Sequence, residues 1–157
     1  MPFHSDPEVT RYIPWPTRNR DETRLALAAK LDKGTVTSEG EWLILAIVHT
    51  AEDRVIGEVL LKRVSDADGV GELGYALARS HQGLGLASEA ARAMLALAFG
   101  EFALEKVVAS IDEPNTASRA MIARLGFTEG DRVEPNTAPG ETEVLVHYLL
   151  CSGGVTA

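Results

Sequence analysis

Residues 70–99 read VGELGYALARSHQGLGLASEAARAMLALAF, and two hydrophobic periods meet inside them. In VGELGYALA, Leu73, Tyr75 and Leu77 share one face while Glu72, Gly74 and Ala76 share the other, the alternation of a β-strand. From Ala87 to Phe99 the residues are strong helix formers, and Ala90, Met94, Leu97 and Ala98 make an apolar stripe at helical spacing. Between them lies His81-Gln82-Gly83-Leu84-Gly85-Leu86-Ala87-Ser88-Glu89, a glycine-rich turn. Its glycines admit positive φ, and the helix start adds orphan N–H donors and the positive end of the macrodipole, so a pyrophosphate would sit well there. A plain tight turn that caps a helix reads from the same residues.

Working outward, Glu105 to Ile111 (EKVVASI) is a short strand of buried type, so strand, helix and strand form a βαβ crossover with parallel strands. Asp112-Glu113-Pro114 precedes a helix from Asn115 to Leu125, with Ala117, Met121 and Leu125 on one side and Gly126 at the stop. Phe127 begins a last region with a loop from Glu134 to Gly140, a strand from Glu143 to Leu150 and a frayed tail from Ser152. Upstream, WLILAIVHT and VIGEVLLKRV flank the polar Ala51-Glu52-Asp53-Arg54 and predict an antiparallel hairpin. A second polar break, Ser65 to Gly69, makes residues 70–78 the third strand of a meander. The segment Pro14 to Gly34 reads as a helix with Asp21 and Glu22 in its first turn and Leu25, Ala28 and Leu31 at helical spacing. The expectation is one α/β (α+β) domain over residues 1–157, on a mixed, mostly antiparallel sheet with flanking helices.

Composition agrees. A chain of 157 residues, 45% hydrophobic and 24% charged, buries roughly 68–70% of its unfolded surface without staples. Cys151 stands alone, so no disulfide framework is built within the chain, and a reducing, cytoplasmic setting fits. The start MPFHSDPEVTRY has no signal-peptide pattern, and the longest aliphatic run, Leu43 to Val48, is far short of the ~20 residues that span a bilayer. A formal net charge of −8 disfavours nucleic acid and favours amine-bearing partners.

The glycine turn is not a P-loop, because no lysine follows it, and it departs from a Rossmann fingerprint because Ser88 stands at the third glycine. Asp112 could still serve as a ribose acid, so a nucleotide binder stays open, although a meander precedes the turn. Gln82-Gly83-Leu84-Gly85-Leu86-Ala87 resembles the Q/R-x-x-G-x-G/A signature of the GNAT superfamily of N-acetyltransferases. ELGYAL before the turn, ASEA after it, Asn115-Thr116-Ala117-Ser118 and Arg124-Leu125-Gly126-Phe127 extend the match. With the opening DPEVTRYIPW, they resemble the branch of the ribosomal-protein N-terminal acetyltransferases RimJ and RimL.

The resemblance implies acetyl-CoA as co-substrate and direct attack by a primary amine on the thioester, with neither a metal nor a covalent enzyme intermediate. It implies that the strand before the turn bonds pantetheine as an extra half-strand through Tyr75 and Leu77, with an N–H near Leu77 facing the oxyanion. Gln82, Gly83, Leu84, Gly85, Leu86 and Ala87 would take the pyrophosphate through main-chain N–H groups. Asn115 would bond pantetheine, or be simply an N-cap. Ser118 matches the general acid of the RimL-like branch; a small packing residue is its other reading. A tyrosine that many members carry further along this helix is Ile122 here. Glu72 is the first candidate base and Glu134 the second, although peptide α-amines titrate near about 7.7–8.0 and need little deprotonation. Tyr12 and Trp15 are the candidate acceptor contacts, with core or edge packing as the alternative for Trp15.

Other patterns point nowhere. His4, His49, His81 and His147 show no local zinc spacing, Ser80-His81 lacks a nucleophile elbow, and Asp66-x-Asp68-Gly69 lacks the closing glutamate of a calcium loop. RimJ/RimL-like chains usually carry a strand and a helix ahead of the DPEVTRY segment, whereas Met1 lies just before Asp6 here; an edge strand without its neighbour invites self-association. The acceptor is expected to be a protein N-terminus, with a small amine as the nearest variant. The rival reading is a non-catalytic module that binds coenzyme A or a nucleotide.

Overall fold

The computed structural model describes residues 3–31, 34–133 and 144–153. In chain order the elements are α1 (Pro7–Thr10), α2 (Arg20–Ala28), β1 (Trp42–His49), β2 (Arg54–Ser65), β3 (Val70–Leu77), a 3₁₀ turn (Arg79–His81), α3 (Leu86–Phe99), β4 (Lys106–Asp112), α4 (Thr116–Arg124), β5 (Thr128–Val133) and β6 (Leu145–Cys151). The six strands form one sheet in the order β1-β2-β3-β4-β6-β5. The meander is antiparallel, β3 and β4 are parallel across the α3 crossover, and β4–β6 and β5–β6 are antiparallel. The mixed, mostly antiparallel α/β expectation therefore holds.

Cross-strand register sorts the sheet into two faces. One face carries Val59, Leu61, Leu73, Val107, Ala109, Ile111, Val146, Tyr148 and Leu150, against which α3 and α4 bury Ala91, Met94, Leu95, Ala98, Met121, Ile122 and Leu125. The apolar stripe of α3 is thus turned one residue from the expected one: Ala91 and Leu95 fill the core, while Ala90 and Leu97 sit at its margin. On α4, Ile122 is buried and Ala117 exposed, because the helix leans its C-terminal half on the sheet. The opposite face carries Glu58, Glu72, Gly74 and Ala76, and an N-terminal layer packs on part of it through Phe3, Val9, Ala76 and Ala78.

Two readings of the sequence need correction. The leucines of this segment do not face a core: Leu25 and Leu27 of α2 are 71% and 43% exposed, Leu31 lies beyond the helix end and is 78% exposed, and Thr23 is the helix's buried residue. Capping holds this helix instead. Asn19 accepts from the N–H groups of Asp21 and Glu22, and Glu22 reaches back to the Asn19 N–H, a capping box. Strand β5 lies where no strand was expected; all its residues are exposed, and its pairing with β6 defines it. Among the described residues no helix is long and apolar enough to cross a membrane.

Candidate active site

Strands β3 and β4 pair only at Val70↔Lys106, Gly71↔Val107 and Glu72↔Val108. Beyond that they part, although β3 runs on to Leu77 and β4 to Asp112. The Ala78 N–H donates to the Ile56 carbonyl on β2, so by alternation the backbone groups of Leu73, Tyr75 and Leu77 face the opening. An extended chain laid there would gain the hydrogen bonds of an added half-strand.

The glycine turn lies directly beyond. Gly83 and Gly85 have φ of 76° and 82°, a region in which a side chain is strained, and Gly85 is the N-cap of α3 without any side-chain cap. The first amide of this region that is used internally at the helix start belongs to Glu89, which donates to the Gly85 carbonyl. Among the described residues, the amides from Gly83 to Ser88, including those of Leu84, Leu86 and Ala87, meet no backbone acceptor, which leaves a row of donors at a helix N-terminus. Gln82 plays a different part from its neighbours. Its N–H donates to Arg79 O and its side-chain amide to Leu77 O at 3.0 Å, so it braces the turn against the end of β3.

Asn115 caps α4, its Oδ1 accepting from the Ser118 N–H at 3.2 Å. Ser118 lies beside Tyr75, whose hydroxyl is buried and makes no hydrogen bond of regular geometry. Burial pushes the Tyr75 phenol above its ordinary pKa; the nearby Ser118 and Arg124 offset this in part. Glu72 is on the sheet's opposite face, at the point where the strands part, and accepts from Ser110 Oγ of β4 at 2.9 Å. Hydroxyl pair and carboxylate thus flank one opening from its two sides.

The N-terminal layer lies on the Glu72 face. Trp15 stacks under the Arg18 guanidinium at 5.3 Å and lies 6.4 Å from the His4 ring, while its indole N–H is buried and unpaired. Tyr12 lies under Arg11 at 5.2 Å. Glu58, buried on this face, is held by Lys30 and His4. Sequence reading missed Glu58 because alternation alone does not distinguish a buried strand glutamate from an exposed one. Glu134 lies outside the described residues. The shallow hollow lined by Thr116, Arg119, Ala123, Phe127, Glu129 and Tyr148 includes none of the expected cofactor residues, and its polar groups are satisfied by one another: Arg119 donates to Tyr148 and Glu129. Asp66, in the motif resembling a calcium loop, accepts instead from Arg63 and from the Glu39 N–H.

The acetyltransferase (GNAT) domain family matches residues 1–128 of the chain. The uncharacterized N-acetyltransferase p20 of Bacillus licheniformis is 30% identical over 126 residues, which are 80% of this chain and 69% of that protein. The chain spans about half the length of further curated relatives. The structure of spermidine N-acetyltransferase from Vibrio cholerae in complex with CoA and spermine matches with a TM-score of 0.78 at 18% identity, covering 97% of this chain and 87% of that one. RimL, the ribosomal L7/L12 alpha-N-protein acetyltransferase in complex with coenzyme A, matches with a TM-score of 0.76 at 19% identity, covering 90% and 79%. At these identities the structural likeness is one of fold.

Proposed function

Because the chain belongs to the GNAT acetyltransferase family, we propose that it transfers the acetyl group of acetyl-CoA to a primary amine by direct attack, in the manner of the RimJ/RimL-like branch with a protein N-terminal α-amine as acceptor. The observation that carries this reading is the parting of β3 and β4 beyond Glu72, beside a turn whose amides are unanswered. Acetyl-CoA fits these features: the edge of Tyr75 and Leu77 would hold its pantetheine arm, residues 83–87 its pyrophosphate, and the group supplies an acyl thioester with a thiolate as leaving group. Glu72 then receives the amine proton, directly or through water, and Ser118 with the neighbouring Tyr75 hydroxyl holds a proton for the departing sulfur. Tyr12 and Trp15 line the approach on the Glu72 face.

A small polyamine is the second reading for the acceptor, favoured by the formal net charge of −8. The test is calorimetry of the protein and of Gly85→Trp with acetyl-CoA, followed by thiol release with peptide and small amines. A Cβ at Gly85 meets no atom within 4 Å, but the φ of 82° strains any side chain there, so a thermal melt of Gly85→Trp accompanies the calorimetry and only a variant that folds like the parent is compared. Binding by the parent, loss of binding in the variant and thiol release with an amine are expected. Binding without turnover for any amine would favour the non-catalytic module, and no binding by the folded parent would remove the cofactor assignment.

A further inference from the structure

The hairpin between β1 and β2 and the 3₁₀ turn ahead of the glycine turn meet at three side chains. Glu52 Oε1 lies 3.3 Å from His49 Nδ1 and 3.1 Å from His81 Nε2. The three ligand-type atoms lie within 4.8 Å of one another, and the two imidazoles stand edge to face at 5.3 Å. From this geometry we propose that His49, Glu52 and His81 form a binding site for a divalent metal of the zinc class, independent of the acetyl-transfer reading.

The distances suit such an ion. A tetrahedral zinc with bonds of about 2.0–2.1 Å holds its ligand atoms about 3.3–3.4 Å apart, close to the 3.3 and 3.1 Å that Glu52 Oε1 keeps from His49 Nδ1 and His81 Nε2, while the two nitrogens lie within 4.8 Å of each other. Two imidazoles and one carboxylate with a fourth position open to water are a recurrent zinc set, whereas calcium and magnesium prefer all-oxygen shells. His49 Nδ1 is buried, and although it is close to the carboxylate it makes no hydrogen bond with it. A cation among the three atoms answers that unmet nitrogen. The outer contacts are also in place. Ser80 Oγ lies 2.9 Å from His81 Nδ1, which fixes the ring with Nε2 toward Glu52, and Arg54 stands 3.7 Å from the other carboxylate oxygen, leaving Oε1 for a single-oxygen bond. His81 itself is 7% exposed, so its imidazole cannot swing away into solvent. The local spacing rules that argued against zinc do not reach this set, because His81 is 29 residues from Glu52.

Binding releases any proton held by the imidazoles and changes no oxidation state. It would pin the β1–β2 hairpin to the residue that directly precedes Gln82, at the root of the glycine turn. The test uses tag-free full-length protein stripped with EDTA. Zinc is titrated by calorimetry, cobalt by its visible absorption, and melting temperature is recorded with and without zinc, for the parent, His49→Gln and Glu52→Gln. One equivalent of zinc, a tetrahedral cobalt spectrum and a raised melting temperature are expected for the parent. Each variant should lose roughly ten-fold or more in affinity and lose the cobalt bands, while melting like the parent in EDTA. Glu52 is an exposed turn residue, so Glu52→Gln keeps the test valid if His49→Gln folds poorly. Absence of saturable binding by the folded parent, or binding that Glu52→Gln leaves unchanged, would overturn the assignment.

Discussion

The Tyr75 hydroxyl is a buried donor with no regular partner, an arrangement that costs about 1–3 kcal/mol when nothing answers it. A phenol is protonated at neutral pH at its ordinary pKa, and burial moves the value further up; with Ser118 as its neighbour, the two hydroxyls can act as one proton source for a thiolate. Tyr75→Phe is expected to melt at the parent's temperature or slightly above, because it deletes the unpaired group, while kcat falls roughly 100-fold. Ser118→Ala should fall by a similar factor, and the double variant no further than the worse single one, since a relay fails as a unit. Steady-state kinetics with parallel thermal melts decide this; full kcat in Tyr75→Phe would return that hydroxyl to packing. The positive φ of Gly83 and Gly85 was legible, because a glycine pair between a strand and a helix announces such a turn. The burial of the Tyr75 hydroxyl beside Ser118 was not, because it depends on where α4 comes to lie against the sheet.

Among the elements, the N-terminal layer is tied to the sheet through a buried charge cluster. Glu58 of β2 is 5% exposed. Burial raises its pKa, but the hydrogen bonds and charges of His4 and Lys30 together outweigh this and hold the carboxyl below its ordinary value. A depressed folded pKa contributes stability above the unfolded value of about 4.3, and the contribution is lost as pH falls through the folded pKa. Lys30→Met leaves the carboxylate buried without its main partner and is expected to lower stability at pH 7 by roughly 3 kcal/mol. As pH falls, the unpaired Glu58 of the variant protonates first and its penalty fades, while the parent keeps its contribution until pH drops through the depressed folded pKa below about 4.3, so the gap narrows through the acid range and closes only below that folded value. Urea unfolding at pH 7 and in the acid range checks both statements; an equal gap throughout would show that Lys30 acts by packing. The elements themselves were legible to different degrees. The meander and the crossover carry clear periods, yet the apolar spacing of Leu25, Ala28 and Leu31 promised a buried face that α2 does not have, since its cap rather than a core holds it. Strand β5, TEGDRV, has no apolar alternation to read, and only its partner β6 makes it a strand.

At the scale of the whole molecule, topology brings together what spacing keeps apart. The opening between β3 and β4 joins Tyr75 and Ser118 on one face to Glu72 on the other, and the meander carries His49 to His81; neither juxtaposition has a sequence pattern. Net charge, by contrast, is fully legible, and it bears on the acceptor. A surface with a formal net charge of −8 raises the encounter rate of a multiply cationic amine by a factor that fades with ionic strength, as the Debye length shrinks from about 10 Å at 0.1 M salt to about 3 Å at 1 M. With acetyl-CoA held saturating at every salt concentration, kcat/KM for a polyamine is expected to fall roughly ten-fold across that range. A peptide whose only cation is its α-amine loses most of this steering from the start, because the reacting fraction is neutral, and its kcat/KM should change less than about two-fold. Initial rates of thiol release with the two acceptors in the same buffers make the comparison. A steep salt dependence confined to the polyamine, with the higher kcat/KM at low salt, would mark charge as the selector of the acceptor. A flat response for both, with the peptide the better substrate, would place selection in contacts other than long-range charge, for which Tyr12 and Trp15 are the proposed residues.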